Sequence, residues 1–361
     1  MNSTANKPLM LMMAGGTGGH IFPALAVAAA LRAQHCEIAW LGSQQGLENK
    51  LVPPAGYPLH TLAVRGVRGA GLLNRLRAPF MLLASVLSAW RILRRLRPAL
   101  AVGFGGYASG PGALAARLSG VPLLIHEQNA RPGLTNRLLA PLATRVVQGF
   151  PGAFSGRADT LGNPVRDVIT TLAAPEKRYA QRRGPLHILI IGGSQGALAL
   201  NTVLPAALAT AFADKACVVT HQTGAGRLGE AQQHWQTLSV AVNCVEFIDD
   251  MAAALADADL LICRSGASTV SEVAAAGVAA LFIPLPGAVD DHQTWNARWL
   301  VDQQAALLLP QAQLSAQALV TCLQHYRSRE ALQQMAMRAR ACALPDSAEA
   351  VAHLCLEVAR G

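Results

Sequence analysis

One local pattern occurs twice in this chain, about half its length apart: an apolar run breaks into a glycine-rich turn and then an alanine-rich helix. The first copy is Leu9 to Met13 followed by Gly15-Gly16-Thr17-Gly18-Gly19-His20. The second is Leu186 to Ile191 followed by Gly192-Gly193-Ser194-Gln195-Gly196. A short apolar run closed by glycine reads as a strand buried in a parallel sheet. A glycine turn that opens a helix gathers unpaired backbone N–H groups, which stabilise phosphate or developing negative charge. Two such halves facing one another predict an enzyme that works in a cleft on a phosphorylated substrate.

Apolar runs alternate with helical patterns throughout, at 9–13, 37–41, 59–64, 99–103, 122–126 and 144–148, then at 186–191, 217–221, 243–247, 259–263 and 279–284. Strands separated by helices imply parallel sheets, hence an α/β chain of two doubly wound halves. At 361 residues, 52% of them hydrophobic and only 14% charged, the chain can bury two cores and is not a disordered one. Proline and glycine interrupt the pattern at Gly162-Asn163-Pro164-Val165-Arg166, and the arginine-rich stretch Arg178 to Gly184 follows, so a domain boundary is expected there. The last helix, about Ser347 to Arg360, can dock on either half. Ligands in such folds sit at the carboxyl ends of the strands.

Seven cysteines, an odd number with no C-x-x-C pair, fit a reducing compartment with neither a disulfide frame nor a cysteine zinc site. The run Leu9 to Ala14 flows straight into the glycine turn and reads as a first strand, not a signal peptide. No stretch has the roughly 18 apolar residues of a spanning helix, so the protein is expected to be soluble or peripheral.

The formal charge of +9 comes from one segment. Between Glu48 and Glu127 there is no acidic residue, while Lys50, Arg65, Arg68, Arg75, Arg77, Arg91, Arg94, Arg95, Arg97 and Arg117 are basic. Inside it, Pro79 to Trp90 is apolar and bracketed by arginines. Apolar side chains beside clustered arginine lie well in an anionic headgroup interface, which makes Phe80, Leu83, Leu87, Trp90, Arg91, Arg94 and Arg95 candidate membrane contacts. The plainer alternative is a core helix with a solvated basic end. Nucleic acid is not the expected partner, because interleaved stacking aromatics are missing.

Several motifs fall at strand ends. A nicotinamide enzyme needs an acidic residue after its second strand, and this chain has Leu41-Gly42-Ser43-Gln44. His20 opens a helix where an imidazole can accept a proton from a substrate; alternatively it only fixes the turn. Gly105-Gly106-Tyr107 lies in a second glycine turn of the first half, with Pro111 marking a helix start. His126-Glu127-Gln128-Asn129 closes a strand and brings four polar groups together. In the second half Arg264 to Glu272 follows an apolar strand, and Glu272 is placed to accept two hydrogen bonds from a ribose diol, or simply to favour the helix dipole. Asp290-Asp291-His292 lacks the spaced convergence of a ligand set, and Asp257-Ala258-Asp259 lies at the entry of a strand, so no protein-bound metal is expected.

Taken together, Gly15 to His20 with Phe22-Pro23-Ala24, Gly105-Gly106-Tyr107, His126-Glu127-Gln128-Asn129, Gly192 to Gly196 and the run from Arg264 to Gln293 resemble the MurG family over essentially the whole chain. These are UDP-N-acetylglucosamine transferases that complete the lipid-linked disaccharide of bacterial peptidoglycan. The resemblance implies a GT-B glycosyltransferase, two Rossmann-like domains facing across a cleft. Residues 1–163, joined by the C-terminal helix 345–361, would bind the acceptor and associate with the membrane; residues 164–344 would bind the nucleotide sugar. It further implies inverting transfer from UDP-N-acetylglucosamine to the 4-hydroxyl of the muramyl unit of lipid I, giving lipid II and UDP, without a cofactor. The family's nucleotide-sugar contacts fall on Thr17, Gly18, Gly19, Asn129, Arg166, Ser194, Ile248, Ala267, Ser268, Thr269, Val270, Ser271, Glu272 and Gln293. Acceptor contacts fall on Gly105, Gly106, Tyr107, His126 and Glu127, and His20 is the candidate base. The implied location is peripheral, on the cytoplasmic face of the bacterial inner membrane, among other cell-wall synthesis and division proteins. Two departures are modest: Ser268 stands where leucine is common, and Gly287 occupies a variable position. The same nucleotide end would also suit a lipid galactosyltransferase, an epimerase of UDP-N-acetylglucosamine or a non-catalytic sugar-nucleotide sensor.

Overall fold

Each apolar run named above overlaps a strand, and every strand pairing is parallel. The computed structural model describes residues 7–64, 72–156, 158–193 and 195–361, with side chains of 72–78 and Val289 left aside. Arg65, Arg68 and Ser194 therefore lie outside the described residues. The chain divides into two units, Met1–Val165 with Leu344–Gly361, and Arg166–Ala343.

The first unit contains β1 (Leu9–Ala14), β2 (Glu37–Ser43), β3 (Leu59–Leu62), β4 (Leu100–Gly105), β5 (Leu123–Glu127), β6 (Arg145–Gln148) and β7 (Asp159–Thr160), in the order β3-β2-β1-β4-β5-β6-β7. Strand alternation sends Met10, Met12 and Ala14 to one face and Leu11 and Met13 to the other. The first group packs on helix Gly18–Ala33 and on Val351, Ala352 and Cys355 of the C-terminal helix Ser347–Arg360, which docks here. The second packs on Val86, Ala89 and Leu93 of helix Leu72–Leu96. Both faces are covered, which is why β1 carries no polar residue.

The second unit contains β8 (Leu186–Ile191), β9 (Cys217–Gln222), β10 (Ala241–Val245), β11 (Leu260–Cys263), β12 (Ala279–Phe282) and β13 (Leu307–Leu308), in the order β10-β9-β8-β11-β12-β13. Both sheets thus reverse direction of strand order at one place, between β1 and β4 and between β8 and β11, where doubly wound folds bind ligands. The two-residue strands β7 and β13 are too short to register as apolar runs.

Asp259, just before β11, is a structural clamp at the opposite edge of this sheet. Its fully buried carboxylate accepts from Arg182 (2.7 Å), Arg329 (2.9 Å) and the His187 N–H (2.9 Å). Burial works to raise its pKa, but Arg329, the His187 amide and Arg182 outweigh it and hold the group below the usual carboxylate range.

Candidate active site

In the first unit the carboxyl ends of β1 and β4 meet through glycine. A Cβ on Gly106, whose φ is +90°, would collide with the Gly15 carbonyl, and one on Gly105 would lie 2.9 Å from the His20 ring. The two glycine turns therefore press backbone to backbone, with the His20 imidazole laid over Gly105. Ser109 ties them further, its hydroxyl donating to the Met13 and Gly105 carbonyls (2.8 and 2.7 Å). Gly106→Ala should cost on the order of 3 kcal/mol in urea denaturation, because the backbone has no way to yield. Gly120→Ala has a similarly positive φ of +69° but open space around it, and should cost only about 1 kcal/mol. Equal losses for the two would refute the close approach.

The first turn spends some of the donors expected to be free. The Gly16 N–H donates to Glu48 Oε2 (2.9 Å), and that of Thr17 to the Gly15 carbonyl (3.2 Å). The amides left over are the first of the helix, at Gly18 and Gly19. Glu48 is fully buried and also accepts from the Ser43 amide and hydroxyl, both at 2.6 Å. Burial alone would raise its pKa; the bonds from Ser43 and Gly16 prevail and keep it ionised below the ordinary range.

His20 is half-buried, and its Nδ1 lies 2.9 Å from Gln128 Oε1. Tyr107, which follows Gly105-Gly106 in sequence, is 58% exposed. His126 and Glu127, expected to touch the acceptor, are instead buried at the end of β5. Glu127 Oε1 accepts from the amide and side chain of Asn129, and Oε2 from the Gly133 N–H and Asn136 side chain, at 2.9 to 3.1 Å. With both oxygens committed inward, the carboxylate shapes the loop that carries Asn129. Burial of the His126 ring lowers its pKa to about 4, so it is neutral.

In the second unit the turn after β8 is likewise partly self-satisfied. Gly193 donates to Gln222 Oε1 (3.1 Å), Gln222 Nε2 returns a bond to the Gly193 carbonyl (2.9 Å), and Gly196 N–H closes on Gly193 (2.8 Å). Among the described residues, no acceptor meets the N–H groups of Gln195, Ala197, Leu198 and Ala199, where helix Leu198–Ala211 begins. Across the β8–β11 switch, helix Ala267–Ala276 presents its own first amides, at Ala267, Ser268 and Thr269. Helix N-termini gather backbone amides at the positive end of the helix dipole, which favours negative charge beside them. Ser265 and Ser268 hydroxyls are buried there without a hydrogen-bond partner.

The other expected residues of this unit lie at further strand ends and helix starts. Glu272 Oε1 pairs with Arg166 at 3.2 Å; burial raises the Glu272 pKa and Arg166 only partly offsets it. Gln293 Oε1 accepts from the Ser265 and Leu285 amides (3.3 and 2.9 Å), bridging the ends of β11 and β12 and leaving its amide nitrogen as a donor. Val270 is buried and Ser271 donates to the Ala267 carbonyl (2.9 Å), so these two support the helix. Arg264 binds the Ile283 and Pro284 carbonyls and Gln311, a brace for the same loops. Ile248 follows β10, next to Phe247, which is 65% exposed.

Residues 10–148 match the glycosyltransferase family 28 N-terminal domain and residues 187–351 its C-terminal domain. The chain belongs to glycosyltransferase family 28. Within that family it is 56% identical to a protein of Alcanivorax borkumensis, with 98% of this chain and 99% of that one aligned. It is 53% identical to one of Alkalilimnicola ehrlichii, over 97% and 99%. Both are named UDP-N-acetylglucosamine–N-acetylmuramyl-(pentapeptide) pyrophosphoryl-undecaprenol N-acetylglucosamine transferase. The crystal structure of Acinetobacter baumannii MurG superposes with a TM-score of 0.89 at 41% identity, covering 97% of this chain and 99% of that one. The two Rossmann-like units are those of a GT-B glycosyltransferase, as family 28 membership requires.

Four residues at the strand ends of the two units escape sequence reasoning. Glu48 stands in the sequence only as a charge, and its signal is the three glycines, Gly15, Gly42 and Gly46, that leave space for its side chain. Gln128 falls in a polar cluster, but its partner His20 is 108 residues away in sequence. Gln222 and Phe247 follow or close strands, and only their place at the carboxyl edge could have singled them out.

Proposed function

We infer that this chain is an inverting hexosyltransferase that moves N-acetylglucosamine from UDP-N-acetylglucosamine to the 4-hydroxyl of the muramyl unit of lipid I, giving lipid II and UDP. The observation that carries this is end-to-end identity above 50% to enzymes bearing that name. The acceptor oxygen forms a bond to the anomeric carbon as the bond from that carbon to the diphosphate breaks on the opposite face. His20 takes the hydroxyl proton. The amides of Ala197 to Ala199 and of Ala267 to Thr269 receive the charge that develops on the departing diphosphate. Glu272 holds the ribose hydroxyls, Gln293 donates to the sugar, Ile248 reads the base edge, and the exposed ring of Phe247 offers a stacking face. Thr17, Gly18, Gly19, Asn129, Arg166 and Ser194 complete the donor contacts. Gly105, Gly106 and Tyr107 contact the acceptor, with His126 and Glu127 supporting them from below.

The test is UDP release from UDP-N-acetylglucosamine with and without a short-chain lipid I analogue. Acceptor-dependent release with a β1→4 disaccharide product is the expected result. Release without acceptor, accompanied by free N-acetylmannosamine, would overturn it in favour of an epimerase.

The acceptor is a lipid, and no helix among the described residues is long and apolar enough to cross a membrane. We place the enzyme peripherally, on the cytoplasmic face of the inner membrane, through helix Leu72–Leu96. Its inner stripe packs on the sheet, while Phe80 (76% exposed), Leu83 (58% exposed) and Leu87 face outward with Arg91, Arg94 and Arg95 exposed one to four turns on. The Arg94 guanidinium lies 5.3 Å from the Trp90 ring centre, an arrangement suited to a headgroup interface. Leu83→Ser with Leu87→Ser should weaken binding to vesicles containing anionic phospholipid by about tenfold or more. Unchanged binding would remove the membrane assignment and leave the transferase reading intact.

A further inference from the structure

His20 stands at one end of a hydrogen-bonded chain whose direction is set at the other end. His126 Nε2 lies 3.0 Å from the Gly162 carbonyl, which can only accept, so Nε2 carries the proton. His126 Nδ1 then holds a lone pair, and the Gln128 side-chain atom 3.0 Å away must be a donor. The same atom lies 3.0 Å from the His126 backbone carbonyl, which independently requires the NH2 group there. Gln128 Oε1 is consequently the atom turned to His20, 2.9 Å from Nδ1. An amide oxygen only accepts, so His20 carries its proton on Nδ1 and keeps Nε2 bare.

We propose that Gln128 and His126 are positioning residues that hold His20 in the one neutral tautomer able to take a proton at Nε2. The inference rests on His20 being the base of the transfer. Without a partner at Nδ1, a neutral imidazole divides between two tautomers, and the one protonated at Nε2 cannot accept the acceptor's proton.

The relay is built to keep its sense. His126 is fully buried and stacks on Phe104 with ring centres 5.1 Å apart, so its ring does not turn. Its depressed pKa keeps it neutral, and hence an acceptor at Nδ1, throughout the physiological range. Gln128 is buried as well, and its backbone carbonyl accepts from Asn163 Nδ2 (2.9 Å). Segment Gly162–Asn163 thereby anchors the chain twice, once at His126 and once at Gln128. Gly105 allows the His20 ring to lie where it meets Gln128, since any side chain there would displace it. The arrangement gives His20 a neutral orienting partner where an Asp or Glu would have offered a charged one.

The experiment uses full-length protein with 15N- and 13C-labelled histidine rings, the His20 signals being assigned by their loss in His20→Gln. The expected wild-type spectrum has His20 protonated at Nδ1, and Gln128→Leu shifts it toward the Nε2-protonated form. Gln128→Leu should also lower kcat on the order of 100-fold, with KM for UDP-N-acetylglucosamine unchanged. A wild-type His20 protonated at Nε2, or a tautomer indifferent to Gln128→Leu, would overturn the proposal. His126 provides a second route that does not depend on Gln128→Leu folding. His126→Phe keeps the ring on Phe104 but removes the acceptor, while His126→Asn places an oxygen near the position of Nδ1. His126→Asn should recover most of the rate that His126→Phe loses, and equal rates in both would count against the relay. Failure of the base reading has a separate signature: His20→Gln would retain wild-type kcat, which overturns the catalytic role of the relay whatever the spectrum shows.

Discussion

Replacing His20 by alanine lowers kcat by about 10²- to 10⁴-fold and leaves affinity for UDP unchanged. The imidazole is half-buried, and its Nδ1 lies 2.9 Å from the Gln128 side-chain oxygen. The acceptor hydroxyl cannot attack as a neutral alcohol at useful rates, so removing the group that takes its proton strikes the chemical step directly. The groups proposed to hold the diphosphate, at the helix N-termini beside β8 and β11, belong to the other unit and remain in place. Steady-state kinetics at saturating acceptor, paired with calorimetric titration of UDP, separates the two quantities. Parallel losses of turnover and UDP affinity would instead make His20 a brace for the Gly15 to Gly19 turn.

Lowering the pH from about 6.5 to about 4 removes on the order of 3 kcal/mol from each unit. The cause is a buried neutral histidine in each. Burial lowers the pKa of His126 to about 4 in the first unit and that of His221 to about 4 in the second. His221 is fully buried, accepts from Trp235 Nε1 at Nδ1 (3.1 Å) and donates through Nε2 to Asn201 (3.0 Å). In the unfolded chain both rings protonate near pH 6.5. Between that pH and 4 the unfolded state binds more protons than the folded one, so stability falls as acid is added and is fully present above pH 6.5. Below 4 the histidines contribute no further loss, and Glu48 and Asp259, whose folded pKa values are depressed, take over. Hydrogen exchange followed at peptides from each unit, at pH 7.5 and 5, reads both losses. His126→Asn should flatten the dependence in the first unit only and His221→Asn in the second only. Identical protection at the two pH values would mean that neither ring stays neutral.

Some of this protein could be read from contiguous residues. Apolar runs such as Leu9 to Met13 and Leu186 to Ile191 must be buried on both faces, and a glycine turn after each can only lead into the next helix. That places Gly15 to His20, Gly105 to Tyr107, His126 to Asn129, Gly192 to Gly196 and Arg264 to Glu272 at carboxyl ends of strands. The two short strands β7 and β13 escaped, because two residues carry no periodicity.

What contiguous residues do not encode is which donor meets which acceptor across the sheet. The Gly15 turn is expected to offer free amides, yet Glu48, 32 residues from Gly16, occupies one of them. Glu127 is expected to face a ligand, yet Asn129 and Gly133 of the following loop and Asn136 of helix Leu134–Leu139 consume both its oxygens. Gln128 and His20 are 108 residues apart, and only the adjacency of β1, β4 and β5 makes them neighbours. Sequence by itself determined the two-unit α/β architecture, the positions of the glycine turns and the charge of helix Leu72–Leu96, because backbone sterics, side-chain period and net charge are local properties. The inward commitment of Glu48 and Glu127, the Asp259 clamp and the direction of the hydrogen bonds ending at His20 were decided by tertiary structure. A hydrogen bond needs its two ends within about 3 Å, and that distance exists only after the sheet has assembled.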